Sequence, residues 1–364
     1  MLTFDDMNLK DNPFSIAPTR LVWADRKGLK EKLEKHLSFS IVSKPSTISA
    51  IFWGKWGAGK TFSMKYFSQE SVLKELAKKA KQEKIPFVIN MVLPMKDVFD
   101  TFYLKIIDDV WMACLKDELL DYIKKLNLTE RSKKREAFSR LNIDKKLVEV
   151  FSTGNIEFIT QYLNMTASAS ALKKQGIPRG IQTTNDKFDV IRSLFNLLCK
   201  IKYSSIIIWI DDAERAELLS AKDLAELQTL LRDLIDHVPE NLKIIMNITP
   251  KPGMSREDVL YYLGEPVQRR ISEVIEVEEL SEEDFWHYVK DLLKEYRKED
   301  TPNEYFPFEK DAIEYVIQMF KNKNLELVPR EVNIRLSKIL EEAMYEEVRP
   351  ITKEYVKRKI ERFS

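Results

Sequence analysis

The sequence is poor in the residues that build disulfide frameworks and metal sites. Its 364 residues include two cysteines, Cys114 and Cys199, and three histidines, His36, His237 and His287. The cysteines lack CxxC spacing and the histidines lie far apart without a ligand pattern, which argues against a disulfide scaffold and a structural zinc site. We therefore expect buried thiols in a reducing compartment, and surface or capping roles for the histidines.

Long apolar runs and a large net charge are also missing. No apolar run reaches ~18 residues, and the acidic start MLTFDDMNLKDNPF lacks the apolar core of a signal peptide. Lys plus Arg number 59 against 58 for Asp plus Glu, so contact with nucleic acid or a membrane surface would need a local patch. With 44% hydrophobic and 32% charged residues, we predict a globular cytoplasmic protein of two domains, without membrane insertion.

One loop carries a specific chemical pattern. The segment from Gly54 to Thr61 reads G-x-x-x-x-G-K-T, the phosphate-binding P-loop, between an apolar run and a helix-like run. Its glycines let backbone N–H groups wrap an anion, and the following helix adds the positive end of its dipole. Lys60 is placed to reach the β and γ phosphates, and the Thr61 hydroxyl to ligate Mg²⁺. The predicted nucleotide-binding residues are Gly54, Lys55, Trp56, Gly57, Ala58, Gly59, Lys60, Thr61 and Phe62.

An aromatic residue and an arginine, Trp23 and Arg26, lie ahead of this loop. Such a pair often lies beside the adenine in ATPases of this kind, so residues 23–26 are an adenine-site candidate. An equally good interpretation is that Trp23 only anchors the N-terminal helix.

A second motif closes the run of apolar residues 206–210 with two carboxylates, Asp211 and Asp212. The run predicts a buried parallel strand, and ligands bind at the carboxyl edge of such sheets. This is a Walker B pattern, in which Asp211 holds Mg²⁺ through water and Asp212 orients or deprotonates the attacking water. Glu214 is the alternative base. Acidic residues at a strand end are more often helix caps, but the accompanying P-loop favours the catalytic interpretation.

Lys60 and Asp211 are separated by about twice the length that a compact P-loop domain needs, which predicts a helical insert over residues 121–185. Residues 121–146 carry nine basic against four acidic side chains, an excess of five positive charges. This tract makes DNA a candidate partner, although a solvated helix face explains it as well because aromatic residues are nearly absent. Residues 166–180 are small, polar and punctuated by Gly and Pro, which predicts a mobile loop for a substrate or partner.

Three further features follow the Walker B motif. Asn247 lies near the end of a second buried strand, where it is placed to touch the γ-phosphate or the lytic water; strand-end turn residues are often Asn as well. Arg269 and Arg270 precede a short strand, residues 274–277. A helical unit then begins at Ser281, and Arg330 stands at the start of its third helix, where either a phosphate contact or a surface salt bridge is expected.

The order of these parts resembles the AAA+ ATPases, with a sensor-1-like Asn247, an arginine-finger-like Arg269–Arg270 pair and a sensor-2-like Arg330. The Asn-Pro-Phe segment at residues 12–14 and the helical lid resemble the origin-recognition initiator branch and its archaeal relatives. This resemblance implies an α/β fold with a P-loop parallel-sheet core, residues 1–280, that carries the insert and is followed by an all-α lid, residues 281–364. It also implies ATP hydrolysis, a homo-oligomer or a hetero-assembly with other AAA+ chains, and a protein partner.

Two departures leave a second function open. Initiator ATPases carry a winged-helix DNA-binding domain after the lid, and the sequence printed here has none, so the resemblance does not by itself imply DNA binding. The Trp-Gly of the P-loop and the paired aspartates are similar to STAND-class NTPases of the KAP branch. A signalling or scaffold NTPase with slow hydrolysis and protein partners is therefore the alternative to an oligomerising ATP switch.

Overall fold

The computed structural model describes residues 1–42, 48–125, 127–237 and 242–362. The chain forms two compact units. The first unit comprises Met1–Leu33, Trp53–Phe67 and Glu276–Ser364, and the second unit comprises Glu34–Phe52 and Ser68–Ile275. The domain boundary expected at residue 280 stays a prediction. The apolar spacing also predicts a last helix over residues 352–363, and its expected end at Phe363 lies outside the described residues.

The α/β core is a five-stranded parallel sheet with the strand order β2-β3-β4-β1-β5. Its strands are β1 (Ile48–Trp53), β2 (Phe87–Val92), β3 (Ile206–Asp211), β4 (Leu242–Ile248) and β5 (Ile271–Glu276). Strand β3 pairs in parallel with both β2 and β4, and every residue of β3 and β4 is buried. Runs rich in isoleucine suit a strand that is covered on both faces. The expected P-loop sheet core is thereby confirmed, with β5 starting three residues earlier than its pattern indicated.

The described residues also form seventeen α-helices, a π-helix and a 3₁₀-helix. The first five helices are α1 (Lys27–Val42), α2 (Lys60–Phe67), α3 (Glu70–Lys79), α4 (Val98–Ile106) and α5 (Lys116–Lys125). The apolar residues 102–119 predict one helix. The structure has a longer helical stretch there, because the π-helix Ile107–Leu115 joins α4 to α5 through a widened turn.

The expected insert is helical, which the structure confirms. It consists of α6 (Arg131–Ser139), α7 (Lys145–Ser152), α8 (Ile156–Leu163) and α9 (Ala169–Lys174). Helix α9 corrects the expectation of a loop over residues 166–180. It forms because the Ser168 side chain accepts a hydrogen bond from the Ala171 N–H and caps the first turn.

The chain returns to the sheet through α10 (Thr184–Ile201), and the 3₁₀-helix Ala213–Leu218 follows β3. The remaining helices are α11 (Ala221–His237), α12 (Arg256–Leu263), α13 (Glu265–Gln268), α14 (Glu282–Tyr296), α15 (Lys310–Asn322), α16 (Pro329–Tyr345) and α17 (Lys353–Arg362).

The helical lid has its own hydrophobic core in the first unit, and the N-terminal segment belongs to it. Met7, Leu9 and Phe14 are fully buried among the apolar faces of α14 to α17. The Asn12 side chain donates to the Ser337 hydroxyl at 2.7 Å and accepts from the Phe14 N–H at 2.9 Å. Pro13 disfavours helix at Asn12 and so predicts an extended segment. The Asn-Pro-Phe segment instead forms a turn, which the Asn12 side chain holds against α16.

Two expectations about side-chain burial are wrong. His36 is buried with 3% exposure rather than on the surface, because its ring packs inside the second unit and its Nδ1 lies 2.5 Å from the Glu273 carboxylate. Cys114 and Cys199 are only partly buried. Every helix in the described residues is too short or too polar to cross a bilayer.

Candidate functional site

The P-loop lies in the first unit, between β1 and α2. Gly57 and Gly59 have φ angles of +79° and +104°, which L-residues with a side chain rarely adopt. A Cβ on Gly54 would lie 2.5 Å from the Val277 carbonyl oxygen. The Lys60 side chain is 6% exposed, and its ammonium donates to the carbonyls of Gly54 at 2.6 Å and Lys55 at 2.9 Å. The glycines thus allow a tight loop that turns its own lysine inward.

The loop is joined to the start of α16 within the same unit. The Arg330 guanidinium lies over the Trp56 ring, 4.1 Å from its centroid, and the Arg330 N–H donates to the Gly57 carbonyl at 3.3 Å. The Lys55 ammonium pairs with Glu279 at 2.6 Å and Glu326 at 2.9 Å, and these hydrogen bonds raise the pKa of Lys55 above its usual value. The sequence placed Lys55, Trp56 and Arg330 at the site but gave no sign of the two glutamates.

Arg26 also contacts the P-loop. Its guanidinium donates to the Ala58 carbonyl at 2.5 Å and to the Glu278 carbonyl. Burial lowers the pKa of Arg26, although carboxylates such as Asp284 act in the opposite direction. A guanidinium remains charged in any case, so Arg26 brings a fixed positive charge to the Ala58 carbonyl of the P-loop.

Trp23 packs on helix α2, which follows the P-loop. Its ring lies 5.2 Å from Tyr66, 5.4 Å from Phe67 and 6.0 Å from Phe62. The packing of Trp23 on α2 fits the anchoring interpretation, and the adenine-site candidate, residues 23–26, stays a prediction.

The carboxylate of the candidate Walker B motif belongs to the second unit. Asp211 ends β3 and is 7% exposed, and its Oδ1 accepts from the Asn247 amide at 2.9 Å. The Asn247 carbonyl oxygen in turn accepts from the Trp209 indole N–H at 2.9 Å. Asn247 is 1% exposed. Hydrogen bonds at its amide nitrogen and at its amide oxygen fix the orientation of its side chain, which in turn holds the Asp211 carboxylate in place.

The two candidate bases have different surroundings. Asp212 is half-exposed and has a φ of +53° at the start of the 3₁₀-helix, with Arg215 at 4.0 Å. Glu214 accepts from the Thr249 N–H at 3.0 Å, which ties its side chain to the chain after β4. Glu214 is therefore held by a backbone hydrogen bond, whereas Asp212 makes a longer ion pair.

The two arginine-finger candidates form ion pairs within the second unit. Arg270 makes a bidentate pair with Asp236, with contacts of 2.7 and 2.8 Å. Arg269 is exposed and pairs with Glu265, one helical turn before it. Both charges are available at the surface, but each already has a carboxylate partner.

The basic tract of the insert is also paired locally. Its salt bridges include Arg131 and Arg135 with Glu149, Lys133 with Glu130, Arg140 with Glu136, and Lys146 with Asp186. These pairs lower the positive potential that a phosphate backbone would encounter, which favours the interpretation as a solvated helix face.

Few side chains in the described residues are arranged to hold a metal ion. The parts of the chain that the structure describes hold no cluster of three or more carboxylate, histidine or cysteine side chains suited to a metal ion. Thr61 is exposed at the first turn of α2 and Asp211 is a single buried carboxylate. A hydroxyl and a carboxylate oxygen are each of the kind that suits Mg²⁺, which is commonly held by one or two protein ligands together with phosphate oxygens and water.

No protein-family model and no curated protein sequence matches the chain. Solved structures do. The ADPNP–ADP complexes of the ORC2 protein from Aeropyrum pernix match with a TM-score of 0.56 at 14% identity, over 97% of this chain and 72% of that chain. The ADP form of that protein matches with a TM-score of 0.55 at 13% identity, over 96% of this chain and 72% of that chain. A weaker match, with a TM-score of 0.47 at 13% identity over 94% and 68% of the two chains, is Cdc6p from Pyrobaculum aerophilum.

These identities are too low to transfer a substrate or a partner, but the matches extend over almost the whole chain. They include the sheet and the helical lid, the two parts that the motif order predicted. The chain therefore has the same fold as the ORC2 protein of Aeropyrum pernix.

Proposed function

We propose that this chain is an ATPase that binds ATP with Mg²⁺ at its P-loop and acts as an oligomerising switch. The conformation of the P-loop is the main support. Gly57 and Gly59 hold left-handed backbone angles, and the Lys60 ammonium turns inward onto the loop carbonyls. This is the arrangement that lets backbone N–H groups and one lysine surround a phosphate. ATP is favoured as the ligand because the ORC2 structures of the same fold hold ADPNP and ADP.

Each proposed role follows from the chemistry of the side chain and from its motif. Lys60 neutralises the β and γ phosphates, and Thr61 and Asp211 hold Mg²⁺, which balances the phosphate charge. Asp212 or Glu214 takes the proton of the attacking water. Asn247 keeps the Asp211 carboxylate in place through its amide.

The arginines are proposed to act on the γ-phosphate. Arg330 approaches it from the lid, and Arg269 or Arg270 is supplied by a neighbouring subunit. A positive charge supplied in trans stabilises the transition state only in the assembly, so turnover depends on association. A second copy of this chain or a related AAA+ chain fits the neighbouring position, and the insert is the surface proposed to bind a protein partner.

ATP turnover measured against protein concentration tests this function. Lys60→Ala should abolish binding and turnover, whereas Lys65→Ala, an exposed lysine on the same helix, should leave both unchanged. Turnover per subunit should rise with concentration, and Arg270→Ala should remove that rise. A series with double-stranded DNA at two salt concentrations tests DNA as a partner, since phosphate contacts weaken steeply with salt.

A signalling or scaffold NTPase is the second candidate, and the ion pairs of the arginine-finger candidates favour it. Arg270 is held by two contacts to Asp236, and Arg269 pairs with Glu265. If those pairs persist in the assembly, neither charge reaches a neighbour and nucleotide is retained with slow hydrolysis. A slow rate that does not change with concentration, with nucleotide retained through purification, would select this function over the first.

A further inference from the structure

The variable positions of the P-loop make direct contacts with the lid. Of the four residues between Gly54 and Gly59, Lys55 and Trp56 are exposed, yet each contacts the segment that begins α16. Lys55 pairs with Glu326 in that segment and with Glu279, and the Glu279 carboxylate also accepts from the Leu327 N–H at 3.0 Å. These contacts hold residues 326–330 against the loop.

The contact between Trp56 and Arg330 is of a different kind. The guanidinium carbon lies 4.1 Å from the centre of the indole ring, within the range of a favourable cation–π contact. Trp56 is 57% exposed, so water reaches the pair and the contact is weak enough to exchange. Arg330 is thereby kept at the surface of the phosphate-binding loop, between the lid and the place where a phosphate chain would lie.

A stronger partner for a guanidinium is a phosphate. Charge-assisted bidentate hydrogen bonds to a phosphate group exceed an exposed cation–π contact in strength, and Arg is well suited to form them. A nucleoside triphosphate offers a γ-phosphate that a diphosphate lacks, so the triphosphate competes for the side chain more strongly than the diphosphate does.

We propose that Trp56 is a positioning residue that holds Arg330 on the P-loop until the terminal phosphate of a nucleoside triphosphate draws the guanidinium away. The inference rests on the proposed binding of ATP at this loop. Because Lys55, Glu279 and Glu326 keep the backbone of the segment in place, the exchange is a rotation of the Arg330 side chain rather than a movement of α16. The ring of Trp56 thus distinguishes the triphosphate state from the diphosphate state.

Trp56 emission tests the proposal directly. The contribution of Trp56 is the difference between the wild type and Trp56→Phe, recorded during titration with a non-hydrolysable ATP analogue or with ADP. The analogue should change this contribution, because the cation leaves the ring, and ADP should change it much less. Arg330→Met should abolish the difference between the nucleotides. Arg335→Met should preserve it, since Arg335 lies on the same helix but stacks on Phe320 and pairs with Glu331.

Affinity provides a second readout. Removing the holding contact in Trp56→Leu should strengthen binding of the analogue relative to ADP by roughly 2- to 5-fold, as expected for loss of an exposed cation–π contact. An equal emission change with both nucleotides, persistence of the difference in Arg330→Met, or an unchanged affinity ratio in Trp56→Leu would overturn the inference. Absence of any nucleotide binding to the wild type in calorimetry would instead overturn the proposed function, and the inference with it.

Discussion

The amide of Asn247 donates to Asp211 Oδ1 at 2.9 Å, from one buried strand to its neighbour. Both side chains are more than nine-tenths buried, and β3 and β4 pair in parallel register up to Ile210 and Met246. The polar residue expected to sense a phosphate is thus a direct partner of the carboxylate expected to hold Mg²⁺. A change at Asn247 should therefore act through Asp211.

Asn247→Ala tests this relationship. Removal of the amide takes away one hydrogen bond of the buried Asp211 carboxylate and that of the buried Trp209 N–H, which should lower the free energy of unfolding by roughly 1–3 kcal/mol. The Mg²⁺ concentration for half-maximal turnover should rise, because the Asp211 carboxylate is no longer held. Urea denaturation and a magnesium titration measure the two effects. Asn196→Ala, where a surface amide donates to the Asn142 carbonyl, serves as the control and should change neither quantity appreciably.

Lys243 makes stability depend on pH. Its side chain is fully buried in β4 and donates to the His36 carbonyl at 2.7 Å; burial lowers its pKa from 10.5 to about 7, against the opposing effect of Glu273. The unfolded chain, with a lysine pKa of about 10.4, binds more protons between pH 7 and 10. Stability should therefore rise with pH across that window, and the cost of the buried charge is fully present below pH 7. His36 stays neutral throughout, since burial lowers its pKa to about 3.

Lys243→Met should remove this rise and raise the free energy of unfolding at pH 7 and below by roughly 1–4 kcal/mol. Urea denaturation at pH 6.5, 8.0 and 9.5 measures both effects. Lys222→Met, at an exposed lysine of the same unit, should not alter the pH dependence. A wild-type stability that falls between pH 7 and 9.5 would contradict the assignment of a neutral buried amine.

Alanine substitutions at Gly57 and at Gly253 test how closely α16 packs on the P-loop, with Gly253 as the control. Their φ angles are +79° and +81°, but a Cβ on Gly57 would lie 3.0 Å from Arg330 Cβ, whereas nothing lies within 4 Å of one on Gly253. Both alanine variants should lose about 1–2 kcal/mol from the left-handed backbone. Gly57→Ala should lose more, because α16 must also shift. Equal losses in urea denaturation would mean that the contact contributes nothing to stability.

The pair between Arg270 and Asp236 offers a test of assembly. Each side chain is about one-third exposed, so their pairing is expected to stabilise the fold by only ~0–1 kcal/mol. Asp236→Asn should loosen Arg270 and raise turnover at protein concentrations that support assembly. Arg270→Ala should lower turnover by roughly 10³-fold if its guanidinium acts in trans, with ATP affinity little changed. Asp233→Asn, which removes a similar exposed partner from Arg232, is the control. An Arg270→Ala variant with wild-type turnover would exclude this residue as a finger.

The parts predicted from the sequence are those determined by local pattern. The P-loop depends on glycines and a lysine within eight positions, and β3 and β4 depend on runs of apolar residues. The helical lid follows from apolar residues at helical spacing and from the serine that caps α14. Helix α9 was not predicted because its residues are small and are followed by Gly176 and Gly180, a pattern typical of a loop, despite the Ser168 cap. The burial of His36 and Lys243 was not predicted because polar residues interrupt the apolar pattern of a buried element.

By itself, the sequence determined that this protein has a glycine-rich loop after β1, a buried strand that ends in Asp211 and an all-helical lid, because each is set by residues that are neighbours along the chain. Only the tertiary structure decided that Asn247 holds Asp211, that Asp236 binds Arg270 and that Arg330 lies on Trp56. Those contacts join residues that are 34 to 274 positions apart, so they depend on strand order and helix packing, which local periodicity does not encode.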